Sequence, residues 1–157
     1  LILGGNTSSR LWNEIREKRG LVYYIHAGTD SYFDTGYLVV RAGCDLNRAE
    51  EAIKVTLQEL NKMTGKIADQ ELAEAKEYIK GHLALSLEDS QEVADLFGED
   101  LLIEGQTKTI KEIIAGVEAV TVKQVQALAK KLQADNQLHL TVVSPLADEA
   151  KFAKLIV

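Results

Sequence analysis

The 157 residues are 46% hydrophobic and 27% charged, the composition of one globular domain with enough apolar mass for a core, which sets aside disorder and a multidomain chain. A single cysteine cannot close an internal disulfide, and no run of residues approaches the roughly 18 apolar positions of a membrane span. The formal charge of -6 and a pI near 5.1 oppose phosphate backbones and anionic lipid. Lysine and arginine are interleaved with acids rather than gathered in a tract, so neither nucleic acid nor a membrane is an expected partner.

The sequence opens at Leu1, and apolar Leu1-Ile2-Leu3 runs straight into Gly4-Gly5. That start reads as an element cut partway, hence a fragment of a longer protein. Across residues 8–19, Leu11, Trp12 and Ile15 form an apolar stripe, the Thr7-Ser8-Ser9 cluster offers N-caps and Gly20 a stop. This spacing predicts a short helix leaving a glycine-containing loop. At ~100° per residue Arg16 falls on the border of the stripe, Glu17 points away and Arg19 lies inside it.

Residues 21–29 are β-branched and aromatic, Asp34-Thr35-Gly36 is turn chemistry, and residues 37–44 are again apolar around Val39-Val40. Two antiparallel strands are predicted. A regular pleat puts Tyr23 on the side of Leu21 and Ile25, with its phenol at the strand's exposed end beside the Arg16 guanidinium.

The rest reads as mostly helical. Asn47 with Glu50 is a capping-box pattern ahead of Ala49, Ile53, Leu57 and Leu60, and Gly65 is a stop. Residues 68–87 carry Leu72, Ala75, Ile79, Leu83 and Leu87 on one stripe, and Asp89 with Glu92 then caps a helix bearing Val93, Leu96, Leu101 and Ile103. Thr109 with Glu112 opens a short helix to Val117, and Thr121 with Gln124 a longer one through Leu132. Residues 138–143 form a predicted final strand closed at Ser144-Pro145, before a short terminal helix. No internal repeat occurs. The order predicts an α+β fold in which an antiparallel sheet is covered on one side by helices, residues 1–157 forming a single domain.

Chemistry-bearing residues are sparse. His26, His82 and His139 share no helical turn, and there is no H-E-x-x-H or H-x-x-E-H run, so no metal is expected on this chain. Cys44 has no CxxC partner and reads as a small core residue. The stretch from Gly4 to Ser9 offers backbone N–H groups to an anion but lacks the spacing and lysine of a phosphate loop; a turn plus N-cap is the ordinary reading. On physical chemistry alone, Arg16 and Tyr23 make an ordinary surface pair.

The run Leu3-Gly4-Gly5-Asn6-Thr7-Ser8-Ser9-Arg10-Leu11, continuing through Ile15-Arg16-Glu17-Lys18-Arg19-Gly20-Leu21-Val22-Tyr23, resembles the second half-domain of the pitrilysin-type zinc peptidases. That family includes mitochondrial processing peptidase, insulin-degrading enzyme and bacterial processing-protease-like proteins. The resemblance extends over Glu71-Leu72, Ala75-Lys76, Lys80-Gly81, Ser86-Leu87-Glu88, Val120-Thr121 and the apolar run that ends at Pro145.

The resemblance implies two similar α+β halves closing around a peptide or unfolded protein. The first half would carry an inverted H-x-x-E-H zinc motif with a further glutamate as third ligand. The second supplies an arginine and a tyrosine seven positions apart that face the zinc, and Arg16 and Tyr23 match them as the implied catalytic residues. A phenol donor and a fixed guanidinium would stabilise the oxyanion and orient the substrate backbone.

By the same resemblance the opening strand and the zinc half lie outside the fragment, so zinc belongs to the parent and none binds here. The expected partner is a zinc-bearing half-domain or subunit, in a homo- or heterodimer, and the expected location cytoplasmic. The alternative is a non-catalytic structural subunit of the same fold, against which the Arg16 and Tyr23 pair argues. Between the two stands a parent that keeps the pair, lacks the zinc motif and works with a zinc-bearing subunit.

Overall fold

The computed structural model describes residues 1–134, 138–145 and 149–156. After a looped start, a helical turn at Arg10 widens into a π-helical segment, Trp12–Glu17, where the Lys18 N–H reaches back five residues to the Asn13 carbonyl at 3.0 Å. Strands β1 (Tyr24–Ser31) and β2 (Gly36–Gly43) follow, then a 3-10 turn (Leu46–Arg48) and helices α1 (Ala49–Lys62), α2 (Asp69–Ser86), α3 (Ser90–Glu104), α4 (Ile110–Ala119), α5 (Val122–Leu132) and α6 (Glu149–Ala153). The fold is α+β, as the order of elements predicts.

β1 and β2 pair antiparallel, Tyr24 opposite Gly43 and Ser31 opposite Gly36. Ile25 and Ala27 point inward and are buried. They join Leu3, Leu11, Ile15, Leu21 and Val22, with Ala52 and Val55 of α1 and the following Met63 and Ile67, in one core; Leu38 and Val40 of β2 and Val122, Val125 and Ala129 of α5 pack against it. The core therefore sits under one face of the hairpin, and the segment carrying Arg16 is rooted in it through Leu11 and Ile15, both 0% exposed.

Several expectations need correction. Arg19 is not inside the stripe: it is exposed and paired with Glu14 at 3.0 Å and Glu51 at 3.9 Å. The helical segment ends at Glu17, so Arg19 lies in the turn that closes at Gly20, where helical periodicity no longer places side chains. The box at Asn47 and Glu50 does not form, because the 3-10 turn occupies that stretch. Arg48 becomes the cap residue and Glu50 pairs with Lys54 at 2.6 Å and Lys151 at 3.2 Å. The buried face of α1 is Ala52, Val55 and Glu59, while Ile53, Leu57 and Leu60 are half-buried.

Leu72, Ala75, Ile79, Leu83 and Leu87 form the half-buried side of α2, as their spacing predicts. Asp89 caps α3 through the Gln91 N–H, and the boxes Thr109 with Glu112 and Thr121 with Gln124 are both made. Leu101 and Ile103, placed on the inward stripe of α3 by periodicity, are exposed. Residues 138–143 join no ladder; among the described residues the sheet is β1-β2 alone. Strand propensity needs a neighbouring edge before it becomes a strand.

Candidate functional site

The site is built where the segment carrying Arg16 meets the open end of the hairpin. Arg16 stacks its guanidinium over the Trp12 ring, 4.3 Å from the centroid, and pairs with Glu17 at 3.0 Å. Its Nε donates to the Tyr23 carbonyl at 2.9 Å. The Tyr23 N–H in turn donates to the Gly43 carbonyl at 2.7 Å. Arg16 and Tyr23 are thus brought together, but the guanidinium meets the tyrosine's backbone rather than its phenol.

Tyr23 does not share the side of Leu21 and Ile25. It is 66% exposed while both of those are buried. Regular pairing begins only at Tyr24, and residues 21–23 follow other constraints: the Leu21 N–H bonds the Ile15 carbonyl at 3.0 Å, closing the turn at Gly20, whose φ is +58°. Strand alternation therefore does not extend back to Tyr23.

The phenol finds its own partner, donating to Asp45 Oδ1 at 2.7 Å. That hydrogen bond, then the carboxylate's charge, pushes the Tyr23 pKa up, with the Arg48 cation opposing, so the phenol is held neutral. Sequence reasoning missed Asp45. Antiparallel register would have found it: with Tyr24 opposite Gly43, Tyr23 faces Cys44 and Asp45 comes next.

The other candidates have structural occupations. Burial, then the Asp45 charge, pushes the Cys44 thiol up and disfavours the thiolate. Three N–H groups of the glycine loop bond within the chain, Gly5 to the Leu1 carbonyl at 3.1 Å, Ser8 to the Asn6 side chain at 2.9 Å and Ser9 to the Asn6 carbonyl at 3.2 Å, and the Arg10 and Leu11 N–H groups that follow bond the Ile2 and Leu3 carbonyls. This is the turn-and-cap reading rather than an anion site, although carbonyls and Asn6, not the serine hydroxyls, do the capping. His26 and His139 are exposed on separate elements, and His82 stacks on Tyr78 with centroids 4.3 Å apart. No group of three or more histidine, cysteine, aspartate or glutamate side chains among the described residues could hold a metal.

A polar cleft of about 350 Å³ opens on the other flank of the segment. Six of its charges are mutually paired, Arg10 with Glu71, Lys18 with Glu14 and Lys62 with Glu59, and Lys66 lends its carbonyl to Arg10. It reads as an anchor of the Arg16 segment to α1 and α2.

Residues 1–79 match the family model described as the peptidase M16 inactive domain. An uncharacterized zinc protease of Bacillus subtilis, YmxG, is 37% identical over 147 residues, covering 92% of this chain and 35% of the relative. A peptidase M16 inactive domain from Pseudomonas fluorescens shares the fold with a TM-score of 0.71 at 25% identity, over 83% of this chain and 31% of that one. A chain of Complex III2 from Candida albicans does so with a TM-score of 0.71 at 26% identity, over 80% of this chain and 30% of that one. The chain spans about a third of the length of the curated relatives it matches.

Proposed function

The chain belongs to the peptidase M16 inactive-domain family, and on that premise we propose that it is the substrate-side part of a zinc metalloendopeptidase. Its substrate would be a peptide or unfolded protein, bound opposite a zinc-bearing half-domain or partner subunit. The described residues do not fit a zinc site, so the metal would be held outside this chain, whose own part is to bind and orient. Arg16 and Tyr23 are the residues we assign to that part.

The observation that carries the reading is the disposition of the pair. Arg16 is tied to Trp12 and to the Tyr23 carbonyl, and Tyr23 keeps its phenol exposed and protonated. A neutral phenol can donate one hydrogen bond to a carbonyl oxygen as negative charge develops on it. A guanidinium whose stem and plane are already fixed loses little freedom when it binds a substrate backbone.

The test is steady-state kinetics of the whole protein on a quenched peptide. Tyr23→Phe is expected to lower kcat on the order of 100-fold with KM nearly unchanged, since such a bond strengthens only toward the transition state. Arg16→Ala should lower kcat/KM with part of the loss in KM. Full kcat in Tyr23→Phe would replace this reading with a second one, a non-catalytic structural subunit, which the fold shared with a chain of Complex III2 favours.

A further inference from the structure

We propose that Asp45 is the positioning residue of Tyr23: its carboxylate selects the orientation of the phenol at the open end of the hairpin and is exchanged for substrate oxygen during the reaction. This rests on the role assigned to Tyr23 above and adds a residue to it. The backbone of Tyr23 is pinned on both sides, by its N–H to Gly43 at 2.7 Å and by Arg16 on its carbonyl at 2.9 Å. Only side-chain rotation remains, and the ring is 66% exposed. The bond from the phenol to Asp45 Oδ1, at 2.7 Å, has the length of a charge-assisted O–H···O⁻ contact and picks one rotamer.

Asp45 is placed for this and not for the more common use of its residue type. It stands at the N-cap of the 3-10 turn Leu46–Arg48, with extended backbone (φ -66°, ψ 146°), yet its side chain caps nothing there. Aspartate at such a position ordinarily bonds the backbone N–H groups that follow. Here the carboxylate turns to Tyr23 instead.

A phenol has one proton to donate. While Asp45 receives it, an oxyanion cannot, so binding must exchange one anionic acceptor for another. The exchange is easy on the protein's side, because Asp45 is exposed and water takes the place of the phenol. The charged groups facing the phenol are Asp45 and the Arg48 cation beyond the hairpin, with the Cys44 thiol beside them and Arg16 on the neighbouring segment. Of these, Asp45 favours the protonated phenol and Arg48 the phenolate.

Two measurements test this, both with Asp45→Asn, which keeps shape and loses charge. In this chain, NMR of isotope-labelled tyrosine, with Tyr23 assigned through Tyr23→Phe, should show Tyr23 titrating at lower pH in Asp45→Asn than in the parent. In the whole protein, Asp45→Asn should lower kcat/KM by up to about ten-fold, because the phenol is no longer held in one orientation before substrate arrives and its rotamer must be fixed during the reaction instead. It should also move the alkaline limb of the pH profile to lower pH, and add nothing in a Tyr23→Phe background.

An unchanged Tyr23 titration, an unmoved alkaline limb, or an equal loss on top of Tyr23→Phe would overturn the positioning role. If Tyr23→Phe lowers kcat while Asp45→Asn is silent, only the positioning role falls. If Tyr23→Phe keeps full kcat, the catalytic reading beneath it falls first.

Discussion

Gly4 is where the glycine loop touches the sheet, and a methyl group there should be felt at once. A Cβ on residue 4 would lie 2.7 Å from Ala27 Cβ, 2.9 Å from Ala27 N and 3.0 Å from Leu11 Cδ1. Carbon atoms in contact sit ~3.5–4.0 Å apart, so loop and strand must separate by about 1 Å. No slack is available, because Ala27 is 6% and Leu11 0% exposed. The separation also stretches the bond from the Ala27 N–H to the Gly4 carbonyl, now 2.8 Å.

Overpacking of this kind costs ~1–3 kcal/mol and the hydrogen bond about 1 kcal/mol more, against ~0.7 kcal/mol regained because alanine restricts the unfolded chain. The net loss for Gly4→Ala is about 2 kcal/mol, which for a chain of this length lowers Tm by ~4–8 °C. Gly81 is the control: it lies inside α2 with nothing within 4 Å of its would-be Cβ. Gly81→Ala should raise stability by up to ~1 kcal/mol through helix propensity. Urea unfolding followed by circular dichroism measures both. A Gly4→Ala chain within ~0.5 kcal/mol of the parent, beside a stabilised Gly81→Ala, would refute the close approach of loop and strand.

Arg10→Met should cost about 2 kcal/mol at neutral pH, because it removes two 2.7 Å bonds to Glu71 and one to the Lys66 carbonyl and leaves a half-buried carboxylate behind. The Arg10 hydrogen bond holds Glu71 below its ordinary range. The stability it contributes is therefore present above the unfolded pKa and lost as pH falls through the folded one. The difference between parent and variant should narrow below about pH 4, and a gap that stays constant into acid would contradict the pairing. Equilibrium dialysis with metal analysis should find no stoichiometric zinc on this chain, and one tight equivalent lost on mutating His26, His82 or His139 would contradict that.

What the sequence made legible was the chemistry of near neighbours. The boxes at Thr109 with Glu112 and Thr121 with Gln124 form because a side chain three residues on is always within reach. The same pattern at Asn47 and Glu50 fails because a 3-10 turn takes in Asn47, and α1 is capped at Arg48 with Glu50 inside its first turn. Periodicity names the inward side of α2 correctly, but on α3 it cannot say whether anything stands opposite, and Leu101 is left 56% exposed. Arg19 was misplaced by one assumption, a helix running on to residue 19, whereas the helical segment ends at Glu17 and Arg19 lies in the turn beyond it. Residues 138–143 have the composition of a strand and pair with no neighbour among the described residues.

The candidate site was legible only through resemblance, and the geometry shows why. Residue types alone put an arginine and a tyrosine near one hairpin and predicted a guanidinium beside a phenol. Instead the guanidinium spends its Nε on the tyrosine's carbonyl, and the phenol spends its proton on a carboxylate twenty-two residues on. That contact depends on antiparallel register, a property of two strands together and of neither alone. The consequence is chemical. Both donors are fixed before any substrate arrives, one by an aromatic face and a carbonyl, the other by an anion that stands where a developing oxyanion would have to compete. A donor already oriented toward negative charge needs little reorganisation to serve a second one, which is the condition under which a hydrogen bond contributes most to a transition state. In the whole protein, then, Tyr23 should serve as a donor to the extent that Asp45 holds its phenol in place before substrate arrives.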